Sequence, residues 1–263
     1  EYWNPAFEPA FLEFLNHWQP DVVHFQHALQ LSISLISTAV DSGRPALFTA
    51  HDYWTICPNI IMLNQRMKPC TQFENTRPCR SCMTRRFKAP RIALAGSRFY
   101  SHRRQRIQHE LSRCSKILCP SNTLMSQLTK GGIQHPGLMY WPFGIDHSWL
   151  SNSKSPEQPT GQPLRIGYTG TLSQQKGVQV LLEAFSSLPV NISCKAELRI
   201  YGNPDADKET EKRVRNWRKT YNHPSINFCG PYSRDQLAQI HSNLDVVVVP
   251  STWYENRPLT ILE

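Results

Sequence analysis

The stretch DVVVVPSTWYENRPLTILE, residues 245–263, decides how the chain is read. An acid followed by four valines has the look of a parallel strand buried on both faces. Pro250 and Ser251 end it. Pro258 suits the first turn of a helix, where a missing N–H is no loss. Glu255 is then expected in the loop at the strand's C-terminal end, and Glu263 about one and a half turns into the helix. Backbone N–H groups left free at a helix start favour an anion. One ligand could be gripped at three places: hydroxyls at Glu255, a phosphate at the helix mouth, a second hydroxyl pair at Glu263. A nucleotide-sugar carries those groups in that order. The plainer alternative is a solvated loop acid followed by an exposed helical acid, so the rest of the chain has to choose.

Working outward, 263 residues with a 40% hydrophobic fraction make a real core, in one large domain or two of ordinary size. No apolar run approaches the length that spans a bilayer, and residues 1–20 do not read as a secretory signal. The expected location is therefore cytoplasmic, at most peripheral on the inner membrane face. The eight cysteines are not read as a disulfide scaffold. The formal charge of +9 and pI near 9.3 call for an anionic partner. Much of that charge lies in one segment. Arg85 to Lys116 holds ten Lys and Arg and a single acid, Glu110.

Strand-like and helix-like stretches alternate along the chain. EPAFLEFLNHWQP (8–20) has helical spacing and stops at a proline, and DVVHFQH (21–27) reads as a buried strand. ALQLSISLISTAVDSG (28–43) reads as an amphipathic helix closed by Gly43. PALFTAHD (45–52), KILCPS (116–121) and GLMYWPFGID (137–146) supply further strands, with Ser121 or Asn122 capping a helix. The polar, proline-rich SNSKSPEQPTGQP (151–163) is the best linker. After it come LRIGYTG (164–170), AELRIYG (196–202), INFCG (226–230) and the valine strand, separated by helices over 176–188, 207–221 and 233–242. This pattern predicts two α/β domains with mostly parallel sheets, 1–150 and 164–263. Ligands of such sheets sit at strand C-termini, which singles out His51, Asp52, Pro120, Ser121, Gly144 and Asp146 in the first half, and Gly170, Lys176, Gly202, Gly230 and Glu255 in the second.

GTLSQQKG (170–177) joins a strand to a helix. Gly170 allows close backbone approach, the helix start offers N–H groups, and Lys176 adds positive charge: a reasonable diphosphate cradle. It has neither the Walker spacing nor the GxGxxG fingerprint, which lowers the case for an NTPase, dehydrogenase or epimerase. Followed by AELRIYG, INFCG and the E-x7-E pair Glu255 and Glu263, it resembles the C-terminal domain of family 4 retaining glycosyltransferases, which have the GT-B fold. DVVHFQH, FTAHDYWTICPN, ILCPSN and WPFGID resemble N-terminal landmarks of the same family, so the likeness covers essentially the whole chain.

The resemblance implies two Rossmann-like domains facing across a cleft, and it implies roles. Glu255 would contact the donor sugar. The backbone of Asn256, Arg257, Pro258 and Leu259 would face the diphosphate, and Glu263 would hold the ribose hydroxyls. Lys176 would offset the leaving diphosphate, with Gly170 and Thr171 beside it, and Gly230 would meet the base. His51 would stand near the reacting sugar; a structural histidine is the plainer alternative. The donor would be a UDP- or GDP-sugar and the acceptor a glycan or lipid-linked glycan, as in polysaccharide or glycoconjugate synthesis. Two departures stand out: Thr171 replaces the arginine many members carry after the glycine, and no Gly-rich loop follows a first strand. Both domains are therefore expected to be incomplete, the chain reading as an internal fragment. Transfer is expected to be metal-independent, since the one Asp-x-Asp, Asp205 and Asp207, opens a helix and reads as capping acids.

Two stretches have other readings. Cys57, Cys70, Cys79 and Cys82 lie within an insertion, 57–82, that shows little helical or strand pattern. Four thiolates could bind a structural zinc; four ordinary thiols or a redox-labile pair are the alternatives. In the basic segment, Ile92, Phe99 and Ile107 interleave with arginines, which suits either an anionic membrane surface or a solvated helix. A non-catalytic basic zinc protein binding nucleic acid would explain charge and cysteines. It would leave the strand-end motifs unexplained, so nucleic acid is not the expected partner.

Overall fold

A computed structural model describes residues 2–71, 76–87, 96–145 and 161–263. The proposed linker up to residue 160, Ile92 and the basic residues Lys88 and Arg91 lie outside the described residues. The chain divides into two compact units. Unit 1 is Glu1–Phe143 with Trp253–Arg257, and unit 2 is Gly144–Thr252 with Pro258–Glu263.

Unit 1 is built on a parallel sheet in the order β1 (Val23–Phe25), β2 (Ala46–Thr49), β3 (Lys116–Cys119), β4 (Leu138–Tyr140). The register aligns Val23 with Ala46, Phe48 with Ile117 and Cys119 with Tyr140. Its helices are α1 (Glu8–Trp18), α2 (Leu35–Asp41), α3 (Arg77–Phe87), α4 (Ser97–Ser112) and α5 (Asn122–Lys130). Ile33, Ile36, Phe48, Ile107, Ile117, Leu124 and Leu128 form one buried cluster. The helix expected over 28–43 is shorter. Ser32 and Ser34 are buried with their hydroxyls bonded to each other, and the Asn4 N–H donates to Ser32 Oγ. Such local side-chain bonds compete with helix formation.

Helix α3 was not expected. Apart from two cysteines its sequence is mostly Arg, Ser and Thr, so no apolar period announces it. In α4 the basic segment is partly spent on folding. Ile107 is fully buried and not available to a membrane, because it is the apolar face that packs on the sheet. Arg106 lies over the Trp3 ring and Arg113 pairs with Asp41.

Ser121 caps α5, accepting from the Leu124 N–H at 3.1 Å. Its hydroxyl also donates to Asn256 Oδ1 at 2.9 Å. Ser121→Ala is expected to lower unfolding stability by about 1 kcal/mol in urea titration, while Ser121→Asn, another good cap, stays within a few tenths. Equal losses for both variants would remove the cap as the cause.

Unit 2 carries the second parallel sheet, in the order β7 (Ile226–Gly230), β6 (Ala196–Tyr201), β5 (Leu164–Thr169), β8 (Val246–Val247). Around it are α6 (Val178–Ser186), α7 (Val190–Ser193), α8 (Lys208–Thr220), α9 (Leu237–Ser242) and α10 (Leu259–Leu262). Leu182, Phe185, Leu198, Ile200, Val214 and Trp217 make its core. Asp207 caps α8, accepting from the Glu209 and Thr210 N–H groups. Asp205 lies before that cap, its N–H donating to Asn203 Oδ1.

The valine strand departs from expectation. Only Val246 and Val247 are paired, and they are 43% and 36% exposed. Among the described residues β8 pairs with β5. Asp245 explains its register, accepting from Arg165 N, Nε and Nη2 at 2.7–3.1 Å. Pro258 sits at the N-cap of α10, one residue before its helical turn, and Glu263 at the C-cap.

Candidate active site

The C-terminal ends of β1 and β2 gather polar side chains in unit 1. His24 Nε2 is 2.8 Å from Thr49 Oγ1. Gln26 reaches His24, and its Oε1 lies 2.8 Å from His51 Nε2. His27 Nε2 pairs with Asp52 Oδ2 at 3.1 Å, and Asp52 Oδ1 accepts from the Trp54 N–H. His51 stacks on Phe143 with ring centroids 5.2 Å apart. Strand alternation explains the grouping: His24 and Gln26 share one side of β1 at the strand end.

Burial, then the neighbouring His27 and His24, hold the His51 imidazole below the ordinary histidine pKa, and Asp52 only partly offsets them. His51 is therefore neutral near pH 7. The sign for stability follows. The unfolded chain takes up a proton as pH falls through about 6.5, while the folded chain resists it. His51's contribution is complete above 6.5 and is lost as pH falls towards the folded value. Thermal unfolding between pH 7.5 and 5 should thus show a falling midpoint, with a shallower fall in His51→Gln. Parallel curves for the two proteins would exclude His51 as a source.

Residues Trp253–Arg257 belong to unit 1, although the domain boundary read from sequence put them with 164–263. Their side chains supply the reason. Asn256 Nδ2 donates to the His51 carbonyl at 2.9 Å. Arg257 Nη1 reaches the Tyr140 hydroxyl at 3.2 Å. Tyr254 packs edge-on against Tyr53. Glu255, held between these anchors, is close enough that its charge adds to burial in raising the Tyr53 phenol.

In unit 2 the glycines mark close backbone approach. A Cβ on Gly202 would fall 2.3 Å from the Gly170 carbonyl. Gly177, with φ at 71°, follows the 3-10 turn Gln174–Lys176, and a Cβ there would fall 1.9 Å from the Pro250 carbonyl. The Thr252 N–H donates to the Gln175 carbonyl at 2.9 Å, and the Tyr168 hydroxyl to the Thr171 carbonyl at 2.6 Å. Glu263 acts on two groups near the end of β5: it pulls upward on His241, which burial pushes down, and adds to burial in raising Tyr232. Thr169 meets both, with Oγ1 3.4 Å from His241 Nε2. Gly230, also at positive φ, has open space where a Cβ would stand.

Sequence reading missed His24, Gln26, His27, Phe143, Tyr232 and His241. For the first three a signal existed, polar residues inside and just after a strand. Tyr232 and His241 come from a loop and a helix, and nothing local marks them.

Two α/β units, each a parallel sheet with such residues at its strand ends, define a two-domain Rossmann-like protein. Residues 1–149 match the family described as Glycosyltransferase Family 4, and residues 151–263 match Glycosyl transferases group 1. The chain belongs to glycosyltransferase family 4. Solved structures agree on the fold. A sucrose-phosphate synthase from Thermosynechococcus elongatus is 17% identical with a TM-score of 0.63, over 97% of this chain and 56% of that one. Anabaena HepE in complex with UDP is 12% identical with a TM-score of 0.61, over 94% and 57%. A glycosyltransferase from Rickettsia africae is 14% identical with a TM-score of 0.60, over 94% and 55%. The chain thus spans little more than half the length of these structures. Among curated proteins, none matches it. No helix among the described residues is long and apolar enough to cross a membrane.

Proposed function

We propose that this chain is part of a retaining glycosyltransferase that moves a sugar from a nucleoside diphosphate sugar to a glycan or lipid-linked acceptor in the cytoplasm, in polysaccharide or glycoconjugate synthesis. The observation that carries this most is the end of β5, where Glu263 stands beside Tyr232 and His241 and the backbone at Gly230 faces open space. A carboxylate at that place accepts from ribose hydroxyls. Gly170, Thr171 and Lys176 take the diphosphate together with the backbone of Asn256 to Leu259, Gly230 takes the base, and Glu255 takes the sugar. Lys176 and backbone N–H groups balance the leaving group's charge, so transfer proceeds without a metal. His51, neutral, accepts a hydrogen bond near the reacting sugar. Same-face attack by the acceptor hydroxyl retains the configuration, and positioning carries much of the rate.

HepE has been captured with UDP and with UDP-glucose, which favours a UDP-sugar among the donors. Contact of residues 85–116 with an anionic membrane has no observation behind it beyond charge, and α4 spends part of that charge internally. The test is calorimetric titration of the full-length protein with UDP-glucose and GDP-mannose, followed by NMR of the transferred anomeric centre. Saturable binding of one donor and a retained configuration support the reading; no binding of any sugar nucleotide, or an inverted product, overturns it.

A further inference from the structure

The insertion between β2 and α4 holds a feature that sugar transfer does not use. Cys57, Cys70, Cys79 and Cys82 all line one cavity of about 120 Å³. They arrive from three separate pieces of backbone. Cys57 ends a turn whose N–H bonds back to the Tyr53 carbonyl at 2.7 Å. Cys70 leaves a second turn, closed by the Leu63–Pro69 bridge, and its N–H donates to the Met62 carbonyl. Cys79 and Cys82 sit three apart in the first turns of α3, on one face. All four are free thiols.

A second observation points to negative charge at this place. Arg103 of α4 is 5% exposed, packed between the Tyr2 and Trp54 rings and donating to the Trp54 carbonyl. Among the described residues no carboxylate pairs with it. The carbonyl it donates to, that of Trp54, stands three residues before Cys57 on the same turn. A buried guanidinium without an anion is costly.

We propose that Cys57, Cys70, Cys79 and Cys82 are the four ligands of a structural zinc ion, with Arg103 as its buried counter-charge. Each thiol gives up a proton to solvent as its sulfur binds, and a divalent cation with four thiolates leaves a net double negative charge, which the guanidinium partly balances. Among the described residues, no three His, Cys, Asp or Glu side chains stand close enough to share an ion as placed. The sulfurs must therefore move inward, and a cavity with the volume of roughly four waters is the space they close. Binding would lock the chain from His51 to Cys57, since Arg103 and Cys57 fasten its far end while His51 and Asp52 form its start. The ion is a staple for that loop and takes no part in transfer.

The experiment uses the full-length protein purified under reducing conditions, with metals quantified by mass spectrometry and zinc-edge X-ray absorption. One zinc per chain with four sulfur neighbours at about 2.3 Å is expected. Cys79→Ser with Cys82→Ser should lose the zinc, whereas Cys194→Ser with Cys229→Ser, at exposed positions, should keep it. If the first double variant does not fold, the absorption spectrum of the unaltered protein still decides. Zinc added to chelator-stripped protein should also release protons and raise the thermal midpoint. Folded protein with substoichiometric zinc, nitrogen or oxygen ligands, iron with labile sulfide, or a Cys79–Cys82 disulfide in the unreduced peptide map would each overturn the proposal.

Discussion

Lys176→Ala should slow sugar transfer by roughly 2–4 kcal/mol of barrier, on the scale of a lost oxyanion donor, which is about 30- to 10³-fold in kcat. The expectation rests on how rigidly the residue is carried. Lys176 ends the 3-10 turn Gln174–Lys176, and Gly177 behind it is pinned by its positive φ and by the Pro250 carbonyl. The turn is fastened again where the Thr252 N–H meets the Gln175 carbonyl. A charge on so fixed a base needs no reorganisation when the sugar–diphosphate bond breaks and negative charge grows on the leaving group. The loss should fall on kcat more than on KM if, as proposed, backbone groups bind the ground-state diphosphate. Lys176→Arg keeps the charge with a different shape and should recover part of the rate. A full-rate alanine variant, or a loss confined to KM, would take Lys176 out of the leaving-group role.

What the sequence made legible was set by sheet periodicity and by chain punctuation. The strands of both sheets follow from apolar runs, and those of unit 2 end at Gly or Pro. Where an element is held by something other than a repeating apolar face, the sequence was silent or misleading. α3 is a helix of Arg, Ser and Thr around two cysteines, with no stripe to read. The start of the 28–43 segment keeps helical spacing but is pulled out of the helix by two serine hydroxyls. The site divides in the same way. Gly170, Lys176 and Glu263 announce themselves by following strands or by spacing. Tyr232 and His241 reach the end of β5 only through tertiary folding, and Arg103, read as part of a basic stripe, turns out to be a buried cation.

Glu255→Gln is expected to cut transfer by about 10²–10³-fold while changing affinity for the free nucleoside diphosphate only slightly, since its proposed partner is the sugar that the diphosphate lacks. Gln matches Glu in volume, so the fold should survive. The flanking residues hold the position: Tyr254 against Tyr53, Asn256 on the His51 carbonyl and Ser121, Arg257 on the Tyr140 hydroxyl. A placement check independent of catalysis is built into the same unit. The Tyr53 hydroxyl is buried without a hydrogen-bond partner among the described residues, and the charge of Glu255 helps to keep it protonated. Removing that charge lets the phenolate form more easily. In a spectrophotometric titration one phenol should shift to lower pH in Glu255→Gln, with the rest of the curve unchanged. Calorimetry with UDP and with the matching UDP-sugar completes the argument. If both ligands weaken equally, the carboxylate is a nucleotide contact; if neither weakens and turnover is intact, Glu255 is a solvated loop acid whose field happens to reach Tyr53. Only a selective loss at the sugar, together with the shifted phenol, places the residue where the reaction needs it.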